Sequence, residues 1–136
     1  MSMSITKCHI GTDIVQIARI NHLMDKFGDR FLKRIYTLSE RKYCLKHTKP
    51  SIFLAGHFAA KEAASKALGT GFSNGVGYKS IEILHRKSGK PLLKLHDGAL
   101  KISKEMAVVD IDISISHEKD NAVACVVFLA KKNTSG

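Results

Sequence analysis

The chain has 136 residues, 44% hydrophobic and 25% charged, an ordinary globular composition with room for one domain over residues 1–136 and none for a second. Its 22 Lys and Arg against 12 Asp and Glu give a formal charge of +10, which points to a polyanionic partner: nucleic acid, anionic lipid, a phosphorylated ligand or an acidic protein. The opening MSMSITK lacks a signal-peptide core, no apolar run reaches membrane-span length, and Cys8, Cys44 and Cys125 share no metal-like spacing, so a cytosolic protein with reduced thiols is expected, Cys125 lying inside a buried strand.

The first element is a short strand, His9 to Val15, between flexible ends at about 1–7 and 131–136. Asp13 stands among Ile10, Ile14 and Val15, an expensive place for a carboxylate without a partner; it caps the helix that follows, holds a cation, or does both. Ile17, Ile20, Leu23, Met24 and Phe27 recur at helical spacing, which predicts an amphipathic helix from Gln16 to Phe27, ended by Gly28. Arg30 to Ile35 reads as a short helix or turn. Ser39 is placed to cap a helix from Glu40 to about His47, which Pro50 stops, and Ser51 to cap a long one running to Leu68, with Gly69 as its terminator.

On that long helix Phe58, Glu62, Ser65 and Lys66 share a face, and Ala59, Ala60, Ala63, Ala64 and Ala67 line the rest, where small side chains let another element approach closely. Glu62 and Lys66 are one turn apart. Such a pair is usually an exposed ion pair worth a few tenths of a kcal/mol, but these surroundings are too apolar for a solvated face. The glycines from Gly69 to Gly77 follow a helix and lack a GK[ST] ending, which excludes a Walker-type loop. Ser80 to Arg86 and Pro91 to His96 read as a hairpin with Gly89 in its turn, and Asp97 as the cap of a helix to about Ala107. Ile111 to Ser116 alternates strictly, and Ala122 to Ala130, apolar and β-branched, reads as a central strand. The expected class is α+β: an antiparallel sheet packed by helices, with the long helix against it.

Five segments, in order, carry a resemblance: GTDIVQIARI, RFLKRIYTLSE, FLAGHFAAKEAASKALGTG, GKP and ISISHEKDNAVACVV. Together they cover nearly the whole chain, which resembles the holo-acyl-carrier-protein synthases, the small bacterial 4′-phosphopantetheinyl transferases. The resemblance implies transfer of 4′-phosphopantetheine from coenzyme A to a serine of an apo-acyl-carrier protein, with release of adenosine 3′,5′-bisphosphate, in fatty acid biosynthesis. It implies Mg2+ held by Asp13 and Glu62, and Lys66 at the reacting phosphate. Glu62, or a water it holds, would accept the serine proton. It places coenzyme A against Lys61, Ser65, Lys66, the Gly89–Lys90–Pro91 turn and His117, although a histidine at a strand end is more often a plain surface residue. It also implies a homotrimer with coenzyme A between subunits. Two residues depart from the family pattern: His57, where many relatives carry arginine, weakens an expected phosphate contact or makes it pH-dependent, and Glu118 replaces a small hydroxyl residue after His117.

Residues 19–49 hold nine Lys and Arg against three Asp and Glu, a balance of +6, which complements a small acidic carrier protein. Arg19 lies off the apolar stripe of its helix, and Arg30 and Arg34 are spaced around Phe31 and Ile35, so that arginines on a rim and apolar anchors beneath would grip a partner helix. Other readings are a basic nucleic-acid-binding domain, supported by charge alone and by no RNA-recognition aromatic motif, and an interaction module that has lost catalysis, which intact Asp13, Glu62, Lys66 and His117 oppose. The expectation is therefore an enzyme whose partners include neither nucleic acid nor membrane.

Overall fold

The computed structural model describes residues 5–131. Strand β1 (Ile5–Gln16) runs directly into helix α1 (Ile17–Phe27), which Gly28 ends; α2 (Asp29–Ile35), α3 (Leu38–Leu45) and the long α4 (Pro50–Leu68) follow. A short 3-10 turn (Tyr78–Ser80) leads into the hairpin β2 (Ile81–His85) and β3 (Pro91–Leu95), then α5 (Asp97–Glu105), β4 (Val108–His117) and β5 (Asn121–Lys131). β1 thus begins inside the segment expected as a flexible end, and β5 reaches Lys131; residues 1–4 and 132–136 lie outside the described residues.

The architecture is the expected α+β, with the strands divided between two sheets. Three antiparallel strands lie in the order β1–β5–β4, and β2–β3 forms a separate ribbon. β5 is central, and its Ala122, Ala124, Val126, Phe128 and Ala130 alternate inward, each no more than 1% exposed. α4 packs on this inner face. Its alanines let the strand come very close: a Cβ built on Gly11 would sit 1.7 Å from the Ala63 carbonyl oxygen, so only glycine fits there. That contact fixes how near β1, and with it Asp13, stands to α4.

Several local assignments differ from expectation. α3 is capped by Thr37, not Ser39: the Thr37 hydroxyl accepts from the Glu40 amide while Glu40 accepts from the Thr37 amide, a complete capping box that the TLSE tetrapeptide encodes. α4 starts on Pro50 in its first turn with no side-chain cap, so Ser51 does not serve. Asp97 lies inside the first turn of α5 rather than capping it. Asp13 caps nothing, since α1 begins at Ile17 without a side-chain cap. Gly69 terminates α4 as expected, with a left-handed φ of 77°. Cys44 is the buried cysteine; Cys125 is half-buried, on the outer face of the sheet.

That outer face is apolar and open. Ile10 and Ile14 are 60% and 63% exposed, and Val123, paired with Ile14, is 40% exposed. Among the described residues no helix is long and apolar enough to cross a membrane.

Candidate active site

Asp13 points inward from β1, opposite Ala124 of β5, where α4 crosses the strand. Its carboxylate is mostly covered and takes the Lys66 ammonium at 3.1 Å; the same ammonium donates to the Thr12 carbonyl at 3.0 Å. One turn before Lys66, Glu62 is half-buried and accepts from the Tyr78 hydroxyl at 2.9 Å. Burial, then the hydrogen bond and charge of Glu62, push the Tyr78 phenol up to about 12; Arg19 opposes the shift and Asp13 adds to it. Arg19, Asp13, Glu62, Lys66 and Tyr78 therefore form one electrostatic corner where β1, α1 and α4 meet. Phe58 and Phe72 stack on the Tyr78 ring, at 5.5 and 3.9 Å, and the exposed Arg19 guanidinium stands 5.9 Å from the Phe58 ring centre. The donor set suits a hard cation such as Mg2+, which takes one or two carboxylates with water and phosphate oxygens completing the shell. Among the described residues no group of three or more metal-ligating side chains gathers, so Asp13 and Glu62 would leave most of the shell to water and substrate.

A second concavity, of about 160 Å3, is lined by Tyr43, His57, His85, Gly89, Pro91 and His117 among others. It brings together three residues expected at coenzyme A. Lys90 is not part of its lining; it is exposed, with its ammonium 3.9 Å from Asp112 in a surface pair of little energetic weight. None of Asp13, Glu62 and Lys66 lines this cleft.

Two residues expected at coenzyme A, Lys61 and Ser65, are buried. Lys61 is 0% exposed, and its ammonium donates to Glu40 Oε1 at 2.6 Å, the Tyr78 carbonyl at 2.8 Å and the Ile81 carbonyl at 2.6 Å. All three protons are committed inside the core, and burial lowers the lysine's pKa against the pull of Glu40. Ser65 is 1% exposed, and its hydroxyl donates back to the Glu62 carbonyl at 2.7 Å. His57 lines the cleft but is only 1% exposed and bonded to Glu40 and His85. Glu118 closes the β4–β5 turn, accepting from the Asp120 amide and the Asn121 side chain, both at 2.9 Å.

On the basic segment Arg30 and Arg34 are exposed and, with Leu23, Phe27 and Phe31, line a groove of about 240 Å3. Phe31 and Ile35 are 8% and 7% exposed and belong to the chain's own core, so they are not protruding anchors; Phe27, 43% exposed, is the aromatic side chain the groove offers.

The sequence reading missed Tyr78, Glu40 and His85. The capping-box pattern was a signal for Glu40. Tyr78, after a glycine-rich loop, and His85, at a strand end, carried none.

The sequence profile described as the 4′-phosphopantetheinyl transferase superfamily matches residues 9–127. A holo-[acyl-carrier-protein] synthase of Halothermothrix orenii is 45% identical over 118 residues, 87% of this chain and 94% of that protein. The crystal structure of the Neisseria meningitidis holo-[acyl-carrier-protein] synthase superposes with a TM-score of 0.81 at 40% identity, covering 88% of this chain and 96% of that one. The Helicobacter pylori synthase in complex with coenzyme A superposes with a TM-score of 0.78 at 36% identity, covering 88% and 98%.

Proposed function

The chain belongs to the 4′-phosphopantetheinyl transferase superfamily, and on that premise we propose that it transfers 4′-phosphopantetheine from coenzyme A to a serine of an apo-acyl-carrier protein, releasing adenosine 3′,5′-bisphosphate. The observation that carries this is the corner built by Asp13, Glu62 and Lys66: two carboxylates on different elements, with an ammonium 3.1 Å from one and a helical turn from the other.

In the reaction the serine oxygen bonds to the β-phosphorus, the bridge to the α-phosphate breaks, and the leaving phosphate takes the electron pair. Charge builds on phosphate oxygens, and preformed donors there lower the barrier. Mg2+ held by Asp13 and Glu62 would supply part of that neutralisation. Lys66, exposed and tethered to Asp13 and the Thr12 carbonyl, turns its ammonium to the reacting phosphate. Tyr78 occupies Oε1 of Glu62 and steadies the carboxylate, and Glu62, or a water it holds, takes the serine proton.

Gly89, Pro91 and His117 receive the nucleotide end of coenzyme A in the 160 Å3 cleft. The family resemblance, not the geometry, gives a homotrimer with coenzyme A between subunits; the separation of the carboxylates from the cleft is compatible with it, and the open Ile10–Ile14–Val123 face is the surface that other copies would cover. The carrier protein, small and acidic, docks along Arg19, Arg30 and Arg34, with Phe27 as its apolar contact. Fatty acid biosynthesis in the cytoplasm is the setting.

Incubation with coenzyme A, Mg2+ and an apo-carrier protein tests the reading: the carrier should gain the mass of one phosphopantetheine. An unchanged carrier mass with well-folded protein would overturn it.

A further inference from the structure

A line of hydrogen bonds runs from the core to the mouth of the cleft. Glu40 Oε2 faces His57 Nδ1 at 2.8 Å, His57 Nε2 faces His85 Nε2 at 2.8 Å, and His85 Nδ1 faces the Gly89 carbonyl at 3.2 Å. Both ends are acceptors only, a carboxylate and a carbonyl, so the nitrogen facing each must carry a proton. The contact in the middle needs one proton: with none, two lone pairs meet, and with two, the hydrogens collide. Three protons on two imidazoles make one positive charge.

We propose that His57 and His85 share this single extra proton, and that the charged pair holds the Gly89 carbonyl and thereby shapes the β2–β3 turn for the donor substrate. Both are positioning residues, acting through Gly89. The assignment rests on the reading that the cleft takes the nucleotide end of coenzyme A.

The surroundings decide which contact fails when the proton leaves. A neutral pair has two protons for three contacts. The Glu40 contact is fully buried and charge-assisted, and the contact between the rings is short, so the 3.2 Å contact to Gly89 loses its proton. A lone pair of His85 then faces the carbonyl and pushes the turn away. Glu40, on α3, favours the charged pair. Lys61 on α4, Lys46 and His47 after α3, and His117 across the cleft on β4 oppose it when protonated. Tyr43 lies flat on His85, its ring centre 3.8 Å away at 9°, an arrangement that suits an imidazolium. Burial, and the positive charges nearby, lower the His85 pKa from its ordinary value. The charge that His85 holds is therefore lost at a lower pH than for an ordinary histidine, and the turn is released as pH rises. A polyanionic donor in the cleft favours the charged pair, so binding draws a proton in.

Long-range proton–nitrogen NMR of the histidine side chains in the intact protein counts the protons. On the acid side three of the four ring nitrogens of His57 and His85 should carry hydrogen, with one coupled titration and a simultaneous shift of the Gly89 carbonyl carbon. Two independently titrating rings, or a Gly89 signal indifferent to them, overturn the proposal. Coenzyme A titrated calorimetrically in buffers of different ionisation heat should show proton uptake that His85→Gln diminishes. In the wild type the coenzyme A KM should rise roughly fivefold through that titration, the worth of one hydrogen bond. His85→Gln should flatten this profile and leave the pH profile of the carrier KM as it was; a profile that survives His85→Gln also overturns the proposal. A shared proton in a protein that transfers nothing would count against the functional reading and not the pair; independent rings in an active enzyme would do the reverse.

Discussion

Replacing Lys61 by Met separates a structural lysine from a substrate lysine. The ammonium joins three elements: it donates at 2.6 Å to Glu40 of α3, and at 2.8 and 2.6 Å to the carbonyls of Tyr78 and Ile81. Both members of the ion pair are 0% exposed. Methionine keeps most of the stem and deletes the charge, leaving the Glu40 carboxylate buried with only His57 and the Thr37 amide. Removing one partner of a buried pair costs about 3–5 kcal/mol. A domain of ordinary stability has about 5–15 kcal/mol in all, so the variant loses much of its margin. Its melting temperature should fall by roughly 10–20 °C. Urea unfolding followed by circular dichroism, at matched protein concentration, measures the loss. The coenzyme A KM of the protein that remains folded should stay within about twofold of wild type, since the ammonium never reaches the surface. Lys61→Arg should also destabilise, because a planar fork does not fit a site built around a point charge. A Lys61→Met variant of unchanged stability whose coenzyme A KM rose tenfold would refute the reasoning and put Lys61 at the phosphates.

Asp13→Asn and Glu62→Gln should each remove most activity with the fold intact, and the double variant should lose little more, because both disable one site; turnover at fixed Mg2+ checks this. Arg19→Glu should raise the carrier-protein KM at least about tenfold, roughly 1.4 kcal/mol, and barely change that for coenzyme A; added salt should weaken carrier binding more in wild type than in the variant. The Tyr78 phenol, raised from 10.0 to about 12, adds stability that is complete below pH 10 and is lost as pH rises through 10 to 12, because the unfolded chain ionises first. Phenolate absorbance, taken as the difference from Tyr78→Phe, should show that late titration, and Glu62→Gln should bring it down. Light scattering should give a trimer, and Ile14→Lys on the outer face should dissociate it with loss of activity.

Much of the fold was legible because local chemistry and periodicity agreed along the chain. The 3.6-residue stripe drew α1, alternation drew β4, an apolar β-branched run drew β5, Gly69 stopped α4, and the alanines of α4 announced a close neighbour that proved to be Gly11. That Asp13, Glu62 and Lys66 belong together came from the family resemblance, and the structure sets Lys66 on Asp13. The caps were less so: Ser39, Ser51 and Asp97 are all good capping residues, and the position of each helix start was decided by packing and, at α3, by Glu40 reaching back to Thr37.

What the sequence could not rank was the two lysines of α4. Lys61 and Lys66 lie five residues apart on one helix, and both belong to the same motif. One faces the core and one the site, and the difference is a partner: Glu40, 21 residues earlier, makes the buried ammonium affordable, while Asp13, 53 residues earlier, meets the exposed one. Burial of a charge depends on what else arrives in three dimensions. The same holds for Tyr78 on Glu62 and for the two histidines at the cleft, whose chemistry exists only because the tertiary fold sets donor against acceptor.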